Sequence, residues 1–67
     1  MSLENELALF QADLKCSEEK LAKFMSLDTN KMDEMQLQSY NRGIRFVKED
    51  ISELKELIAE VKAEMEE

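Results

Sequence analysis

The sequence predicts an all-α fold, an antiparallel helical hairpin of coiled-coil type whose second helix is the longer and which self-associates. Three observations carry that reading. The 67 residues include no Pro and a single Gly, and 37% are charged; Glu, Lys and Leu are good helix formers. Apolar residues recur at heptad spacing in each half of the chain. The two apolar stripes are out of phase with each other.

Helix 1 is expected over about residues 2–26. Ser2 suits an N-cap, and Glu4 and Glu6 favour the positive end of a helix. Its stripe runs Leu3, Leu7, Phe10, Leu14, Leu21, Phe24, with Ser17 in the place the stripe skips. A turn follows at about 27–30. Asp28 can cap the second helix, with Leu27 and Met32 as a hydrophobic staple. Asn30 is a rival cap, with Asp33 three residues on. Helix 2 spans about 31–66, with Leu37, Ile44, Ile51, Ile58 and Met65 at a and Tyr40, Val47, Leu54 and Val61 at d. Gly43 keeps this register and reads as a glycine within the helix, tolerated where another helix approaches closely.

The phase difference argues for the hairpin. Leu21 and Leu37 are both a positions, sixteen residues apart. On one straight helix the second stripe would lie roughly 160° from the first. The usual coiled-coil interruptions insert three or four residues, whereas this one amounts to two. Folding back brings the stripes face to face. The competing reading is one bent continuous helix, favoured by the lack of Gly and Pro between residues 24 and 35.

With the turn near residue 28, Phe24 meets Met35, Leu21 meets Leu37, Leu14 meets Ile44 and Phe10 meets Val47. Leu7 then meets Ile51, and Ser17 falls opposite Tyr40. Ile58, Val61 and Met65 are left as an overhang with an intact stripe, the mark of a contact surface. Ile44, Ile51 and Ile58 at a with Leu54 at d favour a parallel dimer, while Val47 and Val61 at d pull toward a trimer. A second surface comes from residues beside the stripe: Leu9, Cys16 and Phe46 at c, with Leu27, Gly43 and Leu57 at g. These share one flank of an antiparallel pair, where hairpins are expected to meet. The plainer alternative is that scattered surface apolar residues need no explanation.

Other chemistry finds little footing. The net charge of −7, with 16 acids against 9 bases, disfavours direct binding of nucleic acid. No apolar run approaches the ~20 residues of a membrane span. A lone Cys16 cannot form an internal disulfide and suits a reducing compartment, so an intracellular, cytoplasmic protein is expected. There is no His, and no set of residues resembles a catalytic constellation, so neither an enzyme nor a cofactor is expected. The run from Asp28 and Asn30 has Met32 at the next calcium-ligand position and Asp33 where a calcium loop needs Gly, so no metal is expected. Met25, Met32 and Met35 cluster at the turn, where filling the core is the ordinary role and lining an adaptable binding face the alternative. Glu64 and Glu66 oppose the helix dipole at the C-terminal end. Either the last turn frays or the helix continues, and residues 1–67 read as one module of a larger protein.

The stretch from Leu27 to Val61 resembles part of the N-terminal coiled-coil segment of hantavirus nucleocapsid proteins. The matching pieces are Leu27-Asp28, Leu37-Gln38-Ser39, Glu53-Leu54-Lys55 and Ala59, with Lys20-Leu21 in the first half. The resemblance implies an antiparallel hairpin that forms trimers and helps assemble nucleocapsids. That family has a Pro in the turn, which is absent here, and no RNA-binding residue carries over.

The function expected from these residues is oligomerisation or scaffolding, with the chain itself as partner in a dimer or trimer. One alternative is a hetero-assembly subunit or adaptor pairing with another coiled-coil protein. The other is the nucleocapsid assembly module that the resemblance implies.

Overall fold

Ser2 begins the first helix as expected: its hydroxyl accepts the Asn5 N–H at 3.2 Å, and α1 runs Leu3–Met25. The computed structural model describes residues 2–66. A 3-10 turn, Thr29–Lys31, leads into the longer helix α2, Glu34–Met65. The two helices pack along each other as a hairpin. The 32 residues of α2 span about 48 Å at 1.5 Å per residue, which sets the 51 Å long axis; the other extents are 16 and 14 Å.

The chain reverses without Gly or Pro because side chains satisfy the free helix ends. At the end of α1 the Ser26 hydroxyl donates to the Lys23 carbonyl at 2.7 Å, and the Ser26 N–H donates to Ala22 and Lys23. The Asp28 carboxylate accepts the Asn30 N–H at 3.0 Å, capping the 3-10 turn. Asp33 then caps α2. Its carboxylate accepts the Gln36 N–H at 2.8 Å, and the Gln36 side chain accepts the Asp33 N–H at 3.1 Å, a reciprocal capping box. No described residue takes a positive φ, so the reversal needs no glycine. The expected cap at Asp28 is therefore corrected. Asp28 caps the 3-10 turn, α2 starts three residues beyond the expected residue 31, and the connection covers residues 26–33 rather than 27–30.

The register also differs. Phe24 lies over Gly43 rather than Met35: a Cβ built on Gly43 would stand 2.9 Å from Phe24 Cζ. The ring meets Tyr40 edge-on, with centroids 6.1 Å apart at 69°. Ser17 faces Asp50 rather than Tyr40, donating to its carboxylate at 2.9 Å. The facing partner thus lies eight residues further along α2 at Phe24 and ten further at Ser17. Leu7 comes level with the stretch between Ile58 and Val61, where Ile51 had been expected.

This shift removes the expected C-terminal overhang. Ile58 and Val61 are 8% and 7% exposed and belong to the core with Ile51 and Leu54. Only Met65, at the end of the stripe, stays exposed. The unmatched turns of α2 lie at the other end, beside the connecting segment. A longer connection allows the slide, and apolar burial favours it: Ile58 and Val61 leave water, at roughly 1.5–3 kcal/mol for a fully buried side chain of that size.

Two substitutions probe these devices. Asp33→Ala should cost about 1 kcal/mol in urea unfolding and exceed the cost of Asp28→Ala, which removes the cap of one short turn. Gly43→Ala should fail to deliver the ~1 kcal/mol expected from helix propensity. In a Phe24→Leu background the same change should recover most of that gain, because the ring that blocks the added methyl is gone.

Candidate functional site

The apolar residues fall into three groups by exposure. Ile51, Leu54, Ile58 and Val61 are buried inside the hairpin. Leu37, Tyr40, Ile44 and Val47 on α2 are partly covered, as are Leu7, Phe10, Leu14, Leu21 and Phe24 on α1. The seam residues expected to carry association therefore lie largely between the two helices of one chain. The flank residues stand outside. Leu9 is 57% exposed and Phe46 65%, Cys16 is exposed, and Leu57 is half-buried.

The hairpin geometry gathers this flank into one surface. At 100° per residue, Leu9, Cys16 and Lys20 share a side of α1, and Phe46, Asp50 and Leu57 share a side of α2. The Ser17–Asp50 hydrogen bond ties those sides together near mid-length. Ser17, Lys20, Phe46, Asp50 and Glu53 line a shallow groove there. Lys20 continues into a second recess with Lys23, Phe24 and Leu27, reaching the turn. The opposite flank carries Lys48, Lys55 and Lys62, all exposed, with exposed Met25 at its turn end.

The turn end forms an open apolar cup of Phe24, Leu27, Met32, Met35 and Tyr40, edged by Gln36 and Ser39. Met35 is 79% exposed and Met25 62%, so core filling does not describe them. Met32 is partly covered. The carboxylates of Asp28 and Asp33 are engaged by backbone N–H groups. Among the described residues no three His, Cys, Asp or Glu side chains stand close enough to hold a metal ion. No helix among them is long and apolar enough to cross a membrane.

Sequence reading missed Ser17 as a hydrogen-bonding group. It sits at a seam position and is only 5% exposed, and its hydroxyl is satisfied across 33 residues of chain by Asp50. A polar residue in an otherwise apolar stripe is the signal that pointed there.

The chain matches no family model, no curated protein and no solved structure. Its functional reading rests on the geometry of these surfaces.

Ser17→Ala should cost about 1 kcal/mol or less, since Asp50 remains in contact with water when its partner is lost, whereas Asp50→Ala leaves the buried Ser17 hydroxyl without its partner and should cost about 1–3 kcal/mol. Unfolding of the double variant should cost little more than Ser17→Ala alone, the non-additivity expected of two groups sharing one bond.

Proposed function

We propose that the hairpin is an oligomerisation module that associates with further copies of itself and serves as a scaffold. The supporting observation is an incomplete core. No large side chain among the described residues is fully enclosed, and the buried apolar set is four residues on α2. The accessible surface is 5486 Å², whereas a compact monomer of this mass exposes about 4,400 Å².

A chain this small needs stabilisation beyond its core, from disulfides, metal or oligomerisation. Cys16 alone forms no internal disulfide, and the described residues gather no metal-ligating cluster. Association supports such a core by another route. It would also cover the exposed Leu9, Leu27 and Phe46. An exposed thiol fits a reducing, intracellular setting.

A second reading, pairing with a different helical protein, is favoured by Met25 and Met35, whose flexible exposed side chains suit an adaptable surface.

Sedimentation equilibrium from micromolar to millimolar concentration tests the proposal. A mass above that of one chain, together with a Tm that climbs with concentration, is the expected result. A well-folded monomer over the whole range would overturn it.

A further inference from the structure

The apolar flank carries an ordered charge pattern. On α1, Leu9, Asp13, Cys16, Lys20, Lys23 and Leu27 follow one another at steps of four, three, four, three and four. On α2, Ser39, Gly43, Phe46, Asp50, Glu53 and Leu57 repeat the same steps. Over these six positions each line reads with the same spacing from either end, as heptad spacing dictates, and Glu6 on α1 and Glu60 and Glu64 on α2 extend the lines at the open end. The α1 line is centred at residue 18 and the α2 line at residue 48. With Ser17 facing Asp50, those midpoints lie within one residue of the same level, about 1.5 Å along the helices. A single two-fold axis across the helices serves both lines.

The half nearer the turn carries Lys20 and Lys23, and the half toward the open end carries Glu6, Asp13, Asp50, Glu53 and Glu60, with Glu49 lining the groove near its middle. We propose that two hairpins pack flank to flank about this axis with their turns at opposite ends, so that Lys20 and Lys23 of each copy lie against Asp13 and Glu53 of the other. This rests on the self-association reading above and assigns it a face, an orientation and a number of chains.

In this arrangement Leu27 of one copy meets Leu9 of the second, and Leu57 enters the gap left by Ser39 and Gly43. The two Phe46 rings lie on either side of the axis, close to it. The alternative two-fold arrangement, with both turns at the same end, sets Asp13 of one copy against Glu53 of the other and repels. Area is consistent with a dimer. The 5486 Å² surface of the hairpin is large enough to give up the roughly 800 Å² per partner that a standard interface buries.

Sedimentation equilibrium on Lys20→Glu/Lys23→Glu and on the fourfold swap that adds Asp13→Lys and Glu53→Lys tests the proposal, with helicity followed by circular dichroism. The double variant should dissociate at least about tenfold more readily than the unaltered chain, several attractive pairs having become repulsive, and the fourfold swap should return to within about threefold. A separate readout is Lys20→Cys with Cys16 retained: oxidation should join position 20 of one copy to Cys16 of the other. If the unaltered chain stays monomeric, the self-association reading itself fails. If it associates but the double variant is unchanged, if three chains assemble, if association requires a different protein, or if oxidation joins position 20 to position 20, the two-fold arrangement is overturned while assembly survives.

Discussion

Phe24 lies against Gly43 closely enough that a single added carbon would have to displace the ring. That contact, together with Ser17 on Asp50, sets how far the two helices slide along each other. Heptad stripes alone tolerate many registers, because a shift of seven residues again places apolar side chains opposite apolar side chains. A ring that fits over the only Cβ-free position of α2 breaks that degeneracy. A polar side chain that finds its acceptor at one level only breaks it again.

The connection between the helices follows from the same register. To bring Phe24 over Gly43, the chain must pass the first turns of α2 before α1 packs against it. Residues 26–33 cover that distance as a chain of caps: Ser26 closing one helix, Asp28 holding a 3-10 turn, and Asp33 with Gln36 opening the next. Each cap satisfies backbone groups that would otherwise depend on water. Short polar side chains thus replace the glycine and proline that commonly mark a reversal.

Burial is uneven as a consequence. The open end of the hairpin buries Ile51, Leu54, Ile58 and Val61, while the turn end leaves Leu27 and Met35 in water. Two helices shield each other along one line only, so residues beside that line keep an outward face. On one flank these include Leu9, Phe46 and Leu57; on the other they are Lys48, Lys55 and Lys62 along α2 and Met25 at the end of α1. The exposed apolar residues thus lie on a lateral surface and around the turn rather than on an overhanging stripe.

The sequence by itself determined the helical class, the presence of two helices, the longer second one and the reversal between them. All of these follow from periodicity, composition and the angular offset between the stripes, which are local properties of the chain. It also identified Leu9, Phe46 and Leu57 as lying beside the seam, because helical position follows directly from residue number. Only the tertiary structure decided the register and the burial of Ile58 and Val61. The cap at Asp33 has a local signal, Gln36 three residues on at capping-box spacing, with Asp28 and its Leu27–Met32 staple competing for the same role. The register and that burial follow from where α1 docks. Docking in turn depends on the fit of Phe24 to Gly43 and of Ser17 to Asp50, contacts between residues nineteen and thirty-three positions apart, which no pattern within either helix encodes.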